Sequence, residues 1–383
     1  MAPRLKTSTA IGIDGYLSLS ILILLMVGLI MVASSSMMIS QHVGLNGFYY
    51  FFKQFIFAAL GLVGAIIVLY IPTRFWQELG PLWLIGGIIL LVLVLVPGIG
   101  HAVNGSRRWI RLGPIALQVS ELVKLCGIMY VSQYLVRHGA YARDHIIGVF
   151  KPVALLGLMA ILLLLEPDFG ATVVLFVAVL GVMFMAGVRL RWFCLLIVLG
   201  GIAMALLVVS SPYRLARLTG FLHPWQNQFD TGYQLTQALI AFGRGGWFGV
   251  GLGQSIQKLF YLPEAHTDFI VAILAEEFGF IGVLIVFTLF MIMVWRGLMI
   301  ARRAHLMDRL FAAYITYGIT FWLGMQVIVN IGVNIGLLPT KGLTLPFISY
   351  GGSSLVIDLV AVGMLLRVDL ENRFISSQQT KRF

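Results

Sequence analysis

The sequence predicts an all-α fold: a polytopic membrane protein of about ten transmembrane helices, with a large extracytoplasmic loop between helices 7 and 8. Composition is the first support. Of 383 residues, 60% are hydrophobic and 11% charged, against about 45–50% and about 25% in soluble domains. Mean hydropathy is +0.98. The second support is the pattern of apolar runs divided by Gly, Pro or charge. They fall at Tyr16–Ser40, Tyr49–Ile71, Gly80–Val96, Glu121–Arg137, Ile146–Leu165, Gly170–Val188, Trp192–Ser210, Thr267–Trp295, Leu310–Leu338 and Ser349–Leu366. None shows the alternation of a barrel strand, and a helix satisfies its own backbone in lipid. This excludes an ordinary soluble enzyme, a disordered chain and a nucleic-acid binder, despite a net charge of +11.

The first run is too long for a signal-peptide core and no cleavage site follows it, so it reads as a retained span behind a cytoplasmic tail, residues 1–15. Pro72 and Pro97 close the second and third runs. Lys151 and Pro152 interrupt the fifth, and the turn EPDFG, Glu166–Gly170, separates it from the sixth. Residues 211–266 are polar but rich in Gly, Leu and aromatic side chains. So long a connection is functional or disordered, and its apolar content favours a folded interfacial element with a short helix near Tyr233–Phe242. Thr267 is placed to cap the eighth span. Residues 367–383 form a second cytoplasmic tail, and residues 1–383 read as one integral-membrane domain. Cys126 and Cys194 both sit in apolar runs, without metal or disulfide spacing, and are expected to be buried.

Lys/Arg bias orients the chain with both termini in the cytoplasm, which places 16 of its 26 basic residues there. The charges left outside are scarce and gather at helix ends, where ionisable groups are costly and suggest function. In YLPEAHTDFIVAILAEEFG, Asp268 falls in the first turn of the eighth span, where a carboxylate can act as a general base; Glu276 and Glu277 lie deeper, and at least one should face protein. In VNGSRRWIRLGPIALQVSELVK, Arg107, Arg108 and Arg111 run against the positive-inside trend and suit an anion, since guanidinium forks match phosphate oxygens. Glu121 and Lys124 share a helix face, either as a structural pair or with Lys124 turned to that anion. Asp168 of EPDFG either caps the sixth helix or contacts a substrate. In KGLTLPFISYGGSS, Gly351 and Gly352 allow close approach of a ligand or of another helix, Ser349, Ser353 and Ser354 offer hydroxyls at the start of the tenth span, and Lys341 is a further candidate contact. No P-loop, H-E-x-x-H or G-x-S-x-G occurs.

These motifs, with GYQLTQALIAFGRGGWFGVGLGQSIQKLFYLPEAHTDFI, resemble the SEDS family (shape, elongation, division and sporulation; FtsW, RodA and SpoVE) over about Asp14–Arg373. KGLTLPFISYGGSS is closer to the division members than to the elongation members. The resemblance implies a ten-helix glycosyltransferase of the bacterial cytoplasmic (inner) membrane that polymerises lipid II into peptidoglycan at the division septum. Its implied partners are lipid II, lipid-linked glycan, a class B penicillin-binding transpeptidase and other divisome proteins. The aspartate of the family's HTDF motif falls on Asp268, the expected catalytic residue; its fourth-helix acid and base fall on Glu121 and Lys124, and its aspartate after the fifth helix on Asp168. Val119, Glu166 and Ala171 depart from the family's usual Pro, Gln and Thr, and Glu166 is expected to add a charge beside Asp168. The reaction implied needs a base, Asp268, and positive charge for a departing pyrophosphate. Candidates for the latter are Arg107, Arg108, Arg111, Lys124, Arg214, Arg217 and Lys258. A divalent ion could share this work, but no dedicated site is legible. The rival readings are a lipid II transporter and a division scaffold; the absence of paired broken helices in two repeated halves disfavours the transporter.

Overall fold

The computed structural model describes residues 12–103, 106–113, 115–340 and 342–380. In chain order the helices are α1 Gly15–His42, α2 Tyr49–Tyr70, α3 Thr73–Glu78, α4 Gly80–Leu95, α5 Val119–Asp144, α6 Ile146–Leu165, α7 Phe169–Met185, α8 Leu190–Val209, α9 Pro212–Leu222, α10 Tyr233–Gly245, α11 Ile270–Leu306, α12 Leu310–Asn334 and α13 Gly352–Thr380. Each of the ten apolar runs is helical. Seven of the helices (α1, α2, α5, α6, α8, α11 and α12) are long and apolar enough to cross a membrane, and α4 and α7 are shorter apolar helices. α10 is the helix expected near Tyr233–Phe242. The segment 367–380, expected as a tail, continues α13 as helix.

A three-stranded antiparallel sheet was not anticipated. It comprises β1 Gly100–Val103, β2 Ser106–Leu112 and β3 Ile115–Gln118, in the order β1-β2-β3. β3 runs directly into α5, so the sheet sits on one end of the bundle.

α13 packs along α2, while α11 lies against α12, α1 and α10, and α5 against α4 and α7. Small residues permit a close crossing here: a Cβ on Gly363 of α13 would lie 2.7 Å from the Ala65 carbonyl oxygen of α2, the close approach that membrane helices achieve with small side chains. Trp322, Phe290 and Met159 are fully buried between helices. α8 hangs at the margin. Its only buried residue is Leu196, and Cys194 lies exposed on it while Cys126 is buried. The expectation of two buried cysteines thus fails for Cys194, because α8 has almost no protein neighbours.

Two ends of the bundle are chemically distinct. At one, Asp14 caps α1 by accepting the Leu17 N–H (2.9 Å), and its carboxylate pairs with Arg296 of α11 and Arg373 of α13. Arg309, Thr73, Glu371 and Arg367 form a second network there. At the other end α11 departs from a regular helix. Gly279 adopts φ 69°, ψ −169°, a conformation open to glycine. The break frees the Glu276 and Glu277 carbonyls and the Phe280 and Ile281 N–H groups. The 246–251 loop takes up all four: Val250 and Gly251 donate to the first pair, and Gly246 and Trp247 accept from the second. A buried backbone interruption needs such partners. α11 starts at Ile270, and Thr267 does not cap it; the Thr267 hydroxyl bonds Glu264 instead.

Candidate active site

At the end carrying the sheet, a cavity of about 1250 Å³ opens between α2, β2, the α6–α7 turn, α9 and the segment preceding α11. Its lining holds Lys53, Arg108, Arg111, Arg214 and Arg217 against Asp168, Glu264 and Asp268. Positive charge is therefore in excess, in a setting suited to a polyanionic ligand.

Asp268 lies at this cavity, half-buried, in the turn before α11. Its turn is fixed through the main chain. The His266 carbonyl accepts from Tyr350 N–H (2.9 Å), the Thr267 carbonyl from the Ser349 hydroxyl (2.6 Å), and the Asp268 carbonyl from the side-chain amides of Asn330 and Asn334 (both 3.0 Å). The carboxylate itself is left to the cavity, with Gly342 beside it: a Cβ there would lie 3.1 Å from Oδ2. Burial pushes the Asp268 carboxyl up to about 7; the Glu264 charge adds to the rise, and Arg217 and Arg108 oppose it. A base with that value is half ionised near neutral pH, the range in which general bases work best.

Arg108 is the most firmly held of the basic groups. Its Nε donates to the Glu166 carbonyl (3.1 Å), Nη2 to the Pro167 carbonyl (2.6 Å), and Nη1 stands 3.9 Å from Asp168. Asp168 caps α7 through the Ala171 N–H (3.1 Å) and also lines the cavity, so both readings of it hold in geometry. Glu166 does not add the charge expected of it. It is buried, neither carboxyl oxygen meets a donor among the described residues, and burial together with the Asp168 charge pushes it up to about 8 against the pull of Arg108. At pH 7 it is mostly protonated and sterically stands where the family usually has glutamine. Arg214 and Arg217 share one face of α9: Arg214 lies over the Phe169 ring (5.7 Å), and Arg217 donates to the Thr340 carbonyl (3.4 Å). Ser353 lines the cavity and accepts from Gln118 N–H (3.0 Å), joining the sheet to α13.

Six expected contacts are not brought to the cavity. Arg107 neighbours Arg108 on β2 but is exposed and absent from the lining: the β1–β2 pairing skips Arg108, and at this bulge Arg108 is the one turned to the cavity. Glu121 and Lys124 meet each other inside the bundle at 2.8 Å, with Lys124 wholly buried over the Trp322 ring. Lys258 is committed to Glu277 (2.7 Å) and Ser34 (2.9 Å). Glu276 accepts from Arg244 (2.9 Å), from the Ser255 hydroxyl and from the Ile256 and Gln257 N–H groups. These last two acids fasten the 246–262 loop to α11, so both Glu276 and Glu277 face protein. Ser349 sits behind the Asp268 turn as one of its ties. Lys341 lies outside the described residues.

Lys53, His266, Asn330 and Asn334 were not singled out from the sequence. Lys53 had a signal, a lone base at the head of an apolar span. His266 lines the cavity between Tyr50 and Tyr350, and burial lowers its pKa, favouring the neutral ring. Among the described residues no three His, Cys, Asp or Glu side chains gather as a metal site.

The family model described as "Cell cycle protein" (FtsW, RodA, SpoVE) matches residues 16–374. A Legionella pneumophila protein named "Probable peptidoglycan glycosyltransferase FtsW" is 55% identical over 351 residues, 92% of this chain and 89% of that protein. A Coxiella burnetii protein of the same name is 52% identical over 366 residues, 96% and 98% of the two chains. Among solved structures, a chain of a peptidoglycan synthase complex coordinating polymerization and crosslinking superposes with a TM-score of 0.76 at 29% identity, over 94% of this chain and 98% of that one. Thermus thermophilus RodA gives 0.70 at 28% identity, over 94% and 97%. The chain belongs to the FtsW/RodA/SpoVE family of cell cycle proteins.

Proposed function

We propose that this protein is a peptidoglycan glycosyltransferase of the bacterial inner membrane, acting at the division septum with both termini cytoplasmic and the cavity facing outward. The observation that carries the proposal is the Asp268 carboxylate, left without a side-chain tie of its own among the described residues, at a cavity whose lining holds five basic side chains against three acidic ones. Asp268 takes the proton from the GlcNAc 4-hydroxyl of one lipid II as that oxygen bonds to MurNAc C1 of a lipid-linked donor. The C1–O bond to phosphate breaks, and undecaprenyl pyrophosphate leaves with the electron pair. Direct displacement inverts the anomeric centre. Arg108, Arg111, Arg214, Arg217 and Lys53 supply charge for the departing pyrophosphate, while apolar helix faces accept the polyprenyl tails. A class B penicillin-binding transpeptidase is the partner proposed, consistent with the polymerization–crosslinking complex that this fold matches.

The test is glycan polymerisation from lipid II by the purified full chain, with and without a class B transpeptidase. Long glycan strands are expected. Headgroup translocation in vesicles without strands would replace this reading by a transporter, and neither activity would leave a scaffold.

The sheet makes the arginines separable. Arg108→Ala is expected to lower kcat/KM for lipid II about tenfold to hundredfold, the range for losing a charge-assisted hydrogen bond. Arg107→Ala, outside the cavity lining, should stay within about twofold. Equal effects of the two in the same polymerisation assay would remove Arg108 from the pyrophosphate role.

A further inference from the structure

Asn330 and Asn334 stand one helical turn apart near the end of α12, facing the same way. Both are buried, in the last two turns of a helix that otherwise presents Val, Ile and Gly there. Asparagine is a poor helix former, and polar groups within a membrane bundle need a reason. Their hydrogen bonds converge on a single backbone unit. Asn334 Nδ2 donates to the Asp268 carbonyl (3.0 Å), and its Oδ1 accepts the Ala272 N–H (3.1 Å), one of the first N–H groups of α11. Asn330 Nδ2 donates both to the same Asp268 carbonyl (3.0 Å) and to the Leu343 carbonyl (2.6 Å). Asn334 Nδ2 also reaches the Asn330 carbonyl (2.9 Å), locking the pair together. One carbonyl with two side-chain donors, beside a helix start that has no side-chain cap of its own, is an over-determined point in the backbone.

We propose that Asn330 and Asn334 are positioning residues for Asp268: a two-amide clamp from α12 that fixes the backbone carrying the base and ties it to the 343–350 segment behind the cavity. They touch no reacting atom. They act on where the carboxylate stands and on how far water reaches it. Mispositioning of a reacting group by about 1 Å costs on the order of a hundredfold in rate. The clamp should therefore appear in kcat more than in substrate binding.

The proposal rests on Asp268 acting as the base, and the experiment separates the two. Asn330→Leu, Asn334→Leu and the double variant are compared with wild type in a preparation that polymerises lipid II. Asn334→Asp is added because it keeps the acceptor for Ala272 N–H and loses the donor to Asp268. Expected are a kcat about tenfold to hundredfold lower in the double variant and a KM for lipid II within about threefold of wild type, with Asn334→Asp losing rate as Asn334→Leu does. A loosened turn also admits water to Asp268, so the acidic limb of kcat should move to lower pH. A rate loss accompanied by an equal loss of folded protein, with an unmoved limb, would make the asparagines structural only. Wild-type kcat in the double variant would also overturn the clamp. A fully active Asp268→Asn enzyme would instead overturn the base, whatever the asparagines do.

Discussion

Asp268→Asn is expected to reduce glycan polymerisation about 10²–10⁴-fold, the contribution of one positioned general base, while leaving the protein folded. The substitution is isosteric. The turn carrying it is held by main-chain acceptors at His266, Thr267 and Asp268, none of which it touches. Lipid II binding should persist, because the arginines remain. The wild-type pH profile tests the same assignment. A base must be deprotonated to work, and burial pushes this carboxyl up to about 7. The rate should therefore climb as pH rises through about 7 and fall about tenfold per unit well below it. An exposed aspartate would place that limb near pH 4. A folded Asp268→Asn enzyme polymerising at the wild-type rate, or a wild-type profile flat from pH 5 to 8, would dismiss Asp268 as the base.

The sequence reached the ten helices because an apolar run of bilayer length has few other options. It reached Asp268, Asp168, Arg108, Arg111, Arg214 and Arg217 because charges at the ends of such runs stand out against an apolar background. What escaped it is non-local. Arg107 and Arg108 are equivalent in composition and separate only once β2 forms and its bulge leaves Arg108 in the cavity lining and Arg107 outside it. Lys258 in the long loop and Glu276 in the eighth span look as functional as any charge in the sequence, but the break at Gly279 and its backbone bonding to 246–251 bring loop and helix together and enclose them. Asn330 and Asn334 lie 62 and 66 residues from the carbonyl they share, so no spacing rule could join them to it. Glu166 shows the same limit in its protonation: as a sequence letter it is a charge beside Asp168, whereas burial leaves it mostly neutral at pH 7.

Lys124→Ala is expected to be the most destabilising single change in the bundle. Lys124 is wholly buried, 2.8–2.9 Å from both Glu121 carboxylate oxygens and 5.0 Å from the Trp322 ring centroid. Asp358 of α13 lies within electrostatic reach of the pair. Removing the ammonium leaves the Glu121 charge uncompensated beside a second carboxyl, and empties the space of a long side chain. Breaking such a pair costs about 3–5 kcal/mol, a large part of a typical total of about 5–15 kcal/mol. Little folded protein should survive extraction, with a lower thermal midpoint in what does. The double change Glu121→Gln, Lys124→Met removes both charges and keeps most of the volume, and exchanging a buried pair for neutral groups is often tolerated. It should restore folding and, because neither side chain reaches the cavity, return polymerisation to within about tenfold of wild type. A well-folded double variant with no polymerisation would mean that one of these charges serves the substrate after all, through a state in which α5 exposes it.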